Sequence, residues 1–523
     1  MIKKIEIYDT TLRDGAQGEG VSFSLADKLN ITRELDRLGI HYIEGGWPGS
    51  NPKDAEYFKE VRRLKLKQGR VAAFGSTRHA RNRASEDPNL KHLAAARVPV
   101  ITIFGKTWDL HVRDALRVSL DENLKMIATS IGFLKKKTDL LFYDAEHFFD
   151  GFRSNPEYAL KTLEAAAEAG AHQLILCDTN GGIMPAFLHQ AVEVVRQHFT
   201  GLPIGIHTHN DSGLAVANSL QAVCSGCTQV QGSMNGFGER TGNADLAQVI
   251  PNLELKLGFH CIGKNQLQKL TEVSRFIYET ANIPPHDHQP FVGRSAFAHK
   301  GGVHVSAMAR NRSTYEHIPP DWVGNESRVL VSELSGRSNI LAVSKIDLRD
   351  RPKEMKAVLD KLMQLENQGY AFENADASFD LLIRKVTGHF QQAFALQSFR
   401  VMSEISRDGR SISEATVKAD VGGKEFHTVA EGDHGPVDAL DKALRKALVP
   451  VYKQLEHLRL VDYKVHIVNA QASVGAKVRV VIESAFHNHI WSTVGVSANI
   501  IEASALALVD SVEYALLTFK EKQ

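Results

Sequence analysis

Along the first 275 residues, short apolar runs alternate with amphipathic stretches. The runs cover residues 5–8, 42–45, 70–74, 100–104, 139–144, 173–178, 204–207 and 229–233. Each has the length and β-rich composition of a strand. Helix-like segments lie between them. One spans 24–38, with Ser24 placed to cap its start; another spans 156–169 and is closed by Gly170. Apolar strands alternating with helices predict a parallel sheet covered on both faces. Eight strands in a stretch of this length fit a closed (β/α)8 TIM barrel of the α/β class better than an open doubly wound sheet.

The texture changes after residue 275. Pro284, Pro285 and Pro290 interrupt it, then come His299-Lys-Gly-Gly-Val-His304, Pro319-Pro320 and a helical run over 352–368. These predict helical linker subdomains over 276–374. Residues 375–523 hold an internal repeat. The first copy reads Glu414-Ala-Thr-Val-Lys-Ala, then Phe426-His-Thr-Val-Ala-Glu-Gly432, then a helix over 437–448. The second reads Lys477-Val-Arg-Val-Val-Ile-Glu, then Ile490-Trp-Ser-Thr-Val-Gly-Val, then a helix over 501–516. Each copy is two alternating strands plus an amphipathic helix. The pair predicts a pseudo-twofold α+β regulatory domain, suited to dimerisation or effector binding, behind a catalytic barrel over 1–275.

Composition narrows the class. The 523 residues are 43% apolar and 24% charged, enough for two or three soluble domains with full cores. A net charge of +1 gives no case for nucleic acid or an anionic membrane. The apolar runs are too short to span a bilayer. Met1-Ile2-Lys3-Lys4 runs into the first strand without a signal-peptide core, so a cytoplasmic location is the default expectation. Four cysteines make no disulfide framework, and Cys224-Ser-Gly-Cys227 lacks the second pair that a zinc site needs. These cysteines read as packing residues.

Chemistry-bearing residues gather where strands end. Arg13 and Asp14, in Asp9-Thr-Thr-Leu-Arg-Asp-Gly15, follow strand one. Glu44 ends strand two, Glu146 follows strand five, Thr179 follows strand six, His207 and His209 end strand seven, and Asn243 follows strand eight. In a barrel all strand C-termini share one rim, so these residues converge. His207 and His209 alternate onto one face of their strand, and two same-face imidazoles reach one metal. The structural alternative is a pair of strand histidines satisfied by hydrogen bonds. With Asp14 and the Asn243 amide they form a mixed O/N set suited to a divalent ion with open positions (Mn, Mg, Zn or Co). Such an ion acts as a Lewis acid on a keto acid. The glycine-rich run Asn235-Gly-Phe-Gly-Glu239-Arg-Thr-Gly-Asn243 is no Walker or dinucleotide motif, yet its place after strand eight suits a coenzyme site through Asn235, Gly236, Gly238 and Glu239, with orientation of Arg240 or Asn243 as the alternative for Glu239.

The runs DTTLRDG, Gly205-Ile-His-Thr-His-Asn-Asp211 and GERTGNADL together resemble the DRE-TIM metallolyase superfamily. Within it the whole chain is similar to the 2-isopropylmalate, homocitrate and citramalate synthases. The segments Gly46-Trp-Pro48, Tyr143-Asp-Ala-Glu-His-Phe-Phe-Asp-Gly151 and His299-Lys-Gly-Gly-Val-His304 look most like the citramalate branch. The resemblance implies condensation of acetyl-CoA with pyruvate, a homodimer, and feedback by isoleucine at the C-terminal domain. It also implies Asp14, His207, His209 and Asn243 as metal ligands, and Arg13 as the residue that polarises the ketone. Gln17 and Thr179 would hold the keto acid. Glu146, His299 and Tyr315 would serve catalysis. Relatives carry Glu-Asp where this chain has Glu146-His147, which leaves the base open between Glu146, His299 and a water. Phe104 and Tyr143 are expected to wall the keto-acid pocket, where bulk favours a methyl over an isopropyl group. Competing readings are 2-isopropylmalate synthase, a superfamily acyl-CoA lyase, and a non-catalytic amino-acid sensor.

Overall fold

The structure, a computed structural model, describes residues 3–331, 337–405, 407, 411–468, 476–487 and 489–519; the expectation for Met1 and Ile2 lies outside them. The chain divides into two compact units, one of residues 1–297 with 318–327, the other of 298–317 with 328–523.

The first unit is a closed barrel of eight parallel strands in sequence order. They are β1 (Glu6–Asp9), β2 (Tyr42–Gly46), β3 (Arg70–Ser76), β4 (Val100–Lys106), β5 (Leu140–Glu146), β6 (Gln173–Asp178), β7 (Ile204–Thr208) and β8 (Gln229–Gly232). β1 pairs in parallel with both β2 and β8, which closes the ring. The expected barrel is therefore present, and the open sheet is excluded. The expected helix start at Ser24 is a capping box: its side chain accepts from the Asp27 N–H while Asp27 accepts from the Ser24 N–H. Gly170, at φ +100°, closes the helix Pro156–Ala169 in the left-handed conformation.

Strand alternation splits the barrel into two environments. Outward residues such as Ile7, Ile43, Ile101, Ile103 and Leu174 pack against the helices in one large apolar core. Inward residues change character along the strands. Tyr8, Tyr42, Ala72, Val100 and Phe142 form an apolar plug inside the barrel. Two residues further along β2, β4 and β5 come Glu44, Thr102 and Asp144, all buried and polar. The plug shuts the lower barrel, so the chemistry is confined to the rim above it.

In the second unit a short parallel pair, β9 (Ala298–His299) and β10 (Arg328–Val329), precedes two three-stranded antiparallel sheets. These are β11 (Ala395–Ile405), β12 (Ser411–Val421) and β13 (Lys424–Gly432), then β14 (Leu458–Ile467), β15 (Val478–Phe486) and β16 (His489–Ser497). The helices Pro436–Leu448 and Ile500–Thr518 share a core with their sheets. Each repeat thus holds three strands, not the two expected. The missed strands, β11 and β14, each carry a register shift near their start, between Leu396 and Ser398 and between Leu460 and Asp462. A bulge inverts the inside–outside alternation, so a period-two pattern breaks there.

Candidate active site

The turn after β1 is built by its own side chains. Asp9 accepts from the Thr11 N–H at 2.9 Å and the Thr11 hydroxyl at 2.8 Å. Arg13 and Asp14 are thereby delivered side by side at the rim. The Arg13 Nε donates to Glu44 Oε2 at 2.7 Å, its Nη1 lies 3.2 Å from Asp14 Oδ2, and its guanidinium carbon sits 3.7 Å from the Phe74 ring centre. Glu44 is fully buried and also accepts from the Tyr8 hydroxyl at 2.9 Å. Glu44 is therefore the clamp that orients Arg13 and balances its charge. Burial pulls the Arg13 guanidinium down, but Glu44 and Asp14 outweigh it and keep it charged.

Asp14, His207 and His209 each offer one ligand atom, and these atoms lie within 4.8 Å of one another. Asp14 Oδ2 is 3.4 Å from His207 Nε2 and 3.9 Å from His209 Nε2, and the two Nε2 atoms are 3.3 Å apart. Burial raises the Asp14 carboxyl, but Arg13 and the two imidazoles hold it well below the usual carboxylate range. Burial and the neighbouring His207 push His209 down to about 3, so it is neutral and its lone pair is free. Asn243 is bridged to His209 through the backbone, and its buried Oδ1 has no hydrogen-bond partner in the protein. A carboxylate, converging imidazole nitrogens and an orphaned amide oxygen are the donor set of a divalent cation. The residues present fit such an ion.

The glycine-rich loop after β8 positions Asn243. A Cβ on Gly242, at φ +87°, would fall 1.9 Å from the Gly236 carbonyl oxygen, so no side chain fits there. One on Gly238 would meet Asn243 Nδ2 at 2.8 Å. A cavity of about 240 Å³ opens over the site, lined among others by Arg13, Gln17, Phe104, Thr179 and Glu239. Trp47, Phe74 and Phe104 form its apolar corner, with the two Phe rings stacked at 5.4 Å and Trp47 edge-on to both.

Residues 4–277 match the HMGL-like family, 291–370 the homocitrate synthase post-HMGL domain-like family, and 373–516 the LeuA allosteric (dimerisation) domain. The chain is 54% identical over 518 residues to the (R)-citramalate synthase of Geobacter sulfurreducens, covering 98% of this chain and 97% of that one. It is 51% identical over 526 residues to the (R)-citramalate synthase of Aquifex aeolicus, covering 100% and 99%. A 2-isopropylmalate synthase from Clostridium kluyveri is 30% identical over 528 residues, covering 98% and 96%. The chain belongs to the citramalate and 2-isopropylmalate synthase family. It is an acyl-CoA-condensing enzyme, and the much higher identity to the citramalate branch favours that activity.

For a synthase of this family, the barrel brings together Arg13, Asp14, Gln17, Phe104, Glu146, Thr179, His207, His209 and Glu239 around one cavity. Glu146 is ion-paired with Lys106 from the neighbouring strand β4. The Thr179 hydroxyl accepts the His147 N–H at 2.9 Å. Tyr143 is a correction. It is fully buried in the core between sheet and helices, because on β5 it has the opposite parity to Asp144 and Glu146, and it does not line the cavity. Asn235 is also placed otherwise than expected of a coenzyme contact. Its amide donates to the Ser274 carbonyl at 2.9 Å and accepts from the Ser274 hydroxyl at 2.6 Å, tying the loop to the helix Leu270–Thr280. Gly236 and Gly238 shape that loop.

His299 and Tyr315 belong to the second unit. His299 Nε2 lies 3.7 Å from Glu316, and burial depresses its imidazole in spite of that carboxylate. Tyr315 is exposed and stacks on His304 at 3.9 Å, so Tyr315 pairs with the second histidine of the HKGGVH run and not the first. The sequence reading missed Trp47, Phe74, Asp144, Cys177 and Arg240 as cavity residues. Strand parity was the available signal for Phe74, Asp144 and Cys177, which share the inward phase with Phe104, Glu146 and Thr179. Among the described residues no helix is long and apolar enough to cross a membrane.

Proposed function

We propose that this enzyme condenses acetyl-CoA with pyruvate to give (R)-citramalate and free coenzyme A, feeding isoleucine synthesis. The choice of keto acid is carried by the much higher identity to the citramalate synthases, and the bulk of the Trp47–Phe74–Phe104 corner beside Arg13 agrees with a methyl rather than an isopropyl side chain. A bound divalent ion, held by Asp14, His207, His209 and Asn243, supplies Lewis-acid polarisation of the ketone. Thr179 and Gln17 hold the keto acid. Glu146 takes a proton from the acetyl methyl group, and that carbon adds to the ketone carbon. The ketone oxygen becomes an alkoxide next to Arg13, whose fixed guanidinium stabilises the charge as it develops and needs no reorganisation. The alkoxide is then protonated, and water cleaves the thioester. His299 and a water are the other candidate bases; the pH–rate profiles of Glu146→Gln and His299→Gln separate them. In this reading Tyr315 assists the proton steps, and Gly236, Gly238 and Glu239 line the coenzyme side of the rim.

We further infer a cytoplasmic homodimer with isoleucine as effector at the C-terminal repeat. The match to an allosteric dimerisation domain and the two like three-stranded sheets support a dimer with an effector site, while the cytoplasm and isoleucine rest on the resemblance. The deciding experiment compares kcat/KM for pyruvate and 2-oxoisovalerate with acetyl-CoA, read as thiol release. Preference for pyruvate is expected. Faster turnover of 2-oxoisovalerate would make it a 2-isopropylmalate synthase.

A further inference from the structure

His207 is one of two imidazoles at the metal site, and the two are not held alike. Its Nδ1 meets Gln231 Oε1 at 3.0 Å, whereas His209 Nδ1 is buried with no hydrogen-bond partner in the protein. Gln231 stands beside His207 in the β7–β8 register. It is fully buried, so its amide has no water to turn to. Its Nε2 donates across the barrel interior to Asp144 Oδ1 at 3.2 Å, from the non-adjacent strand β5. The order from β5 to the metal site is therefore Asp144, Gln231, His207.

An amide has one accepting end and one donating end. Asp144 presents an acceptor, which commits the Gln231 nitrogen to β5 and its oxygen to His207. Reversing the amide would set Oε1 against the Asp144 oxygen in place of a hydrogen bond and would force His207 to the other tautomer, with its proton on Nε2. With Oε1 facing it, His207 keeps a proton on Nδ1, which leaves Nε2, beside Asp14 and His209, as the atom for an ion. We propose that Gln231, fixed in turn by Asp144, is the positioning residue that selects the metal-binding tautomer and ring orientation of His207. This rests on the divalent-metal reading of the site and not on the choice of keto acid.

A second glutamine on β8 supports a specific role by comparison. Two residues lower, Gln229 Nε2 donates to Gln173 Oε1 at 2.9 Å, while Gln229 Oε1 and Gln173 Nε2 are left without partners. That pair fills space between neutral groups. The Gln231 amide, by contrast, has each end matched to a group of opposite hydrogen-bonding sense.

The test is metal affinity of the full-length apoenzyme, measured with Mn and Co ions alone by competition with a chromogenic chelator, with circular dichroism and melting temperature as fold controls. His207→Ala is the reference for a lost ligand. Gln231→Met keeps length and burial but removes the acceptor, and should weaken binding about tenfold or more. Asp144→Leu, which frees the amide to reverse, should weaken binding about threefold or more, and Asp144→Asn, which still presents an oxygen, should stay within about twofold of the parent. The Co-substituted absorption spectrum should shift in Gln231→Met and not in Asp144→Asn. Should Gln231→Met fail to fold, Gln231→Leu, which also lacks an acceptor for His207 Nδ1, takes its place and should bind more weakly as well. Parent-like affinity in Gln231→Met alongside loss in His207→Ala would overturn the assignment while leaving the metal site intact. Equal losses in Asp144→Asn and Asp144→Leu would show that charge and not amide orientation matters, and would overturn the Asp144 half. An apoenzyme indifferent to His207→Ala would instead remove the metal reading itself.

Discussion

The barrel rim and the C-terminal repeats treat their polar and apolar residues in opposite ways. At the rim, charged groups are buried but answered within a few ångströms. Arg13 is met by Glu44 and Asp14, and His207 by Gln231 and Asp14. In the repeats, apolar groups stay exposed. Met402, Ile405 and Ile412 stand out on the first sheet, and Val461, Ile467 and Ile490 on the second, all at least half exposed. A site whose charges are matched locally is pre-organised in one chain. Sheets that leave apolar side chains in water are unfinished until another surface covers them. By the same physical criterion, whether a group has its partner, the proposed metal and alkoxide chemistry falls to the barrel and the proposed association to the repeats.

The largest effect should come from attacking the matched charges. Exhaustive chelation, or Asp14→Ala, should bring thiol release to background, with divalent ion restoring the chelated enzyme and not the variant. Retained turnover in Asp14→Ala would break the comparison at its first term. Next, Arg13→Gln should lower kcat by about 10²- to 10³-fold, the usual loss of one donor aimed at a developing oxyanion; a change confined to KM would assign Arg13 to substrate binding alone.

Phe104→Ala should move the kcat/KM ratio of 2-oxoisovalerate to pyruvate by about 10- to 200-fold, the worth of a methylene or two in an apolar pocket. An unmoved ratio would return selectivity to some other wall. On the second unit, Ile405→Lys with Ile467→Lys should weaken self-association about tenfold or more in sedimentation and reduce the proposed response to isoleucine, because charges replace apolar residues on the proposed association face. Basal turnover that fell with the dimer would show that the barrel site is not self-sufficient.

The smallest effect concerns Asp9, which burial lifts to about 7 despite its bonds from Thr11. Its native pKa lies above that of an unfolded Asp, so the folded chain binds the extra proton between about pH 4 and 7, and stability declines as pH rises through that window. Asp9→Asn should flatten this part of the melting-temperature profile. Asp14 has the opposite sign: its lowered pKa stabilises above the usual carboxylate range and is lost only in stronger acid.

The eight barrel strands were legible because short β-rich segments recur between amphipathic ones, and their ends sit within a residue or two of the expected positions. The Asp14, His207 and His209 set was legible because strand alternation and a shared rim are both sequence-level facts once the barrel is counted. Tyr143 lies in the outer core and not in the cavity because strand parity sets it opposite to Asp144 and Glu146. Glu44 was visible as an acid at a strand end, but its role depends on Arg13 lying 31 positions earlier and 2.7 Å away. β11 and β14 escaped because a bulge breaks their period.

The sequence by itself determined which residue types stand at which strand ends, and hence the barrel, the candidate metal-binding set and the repeat. Those depend on periodicity and local chemistry, which are written along the chain. The tertiary structure alone decided who answers whom: Glu44 for Arg13, Lys106 for Glu146, Gln231 and Asp144 for His207, and His304 against Tyr315. Such pairings depend on closing a ring of strands, which brings residues far apart in sequence within hydrogen-bonding distance, and no pattern along a single strand records that.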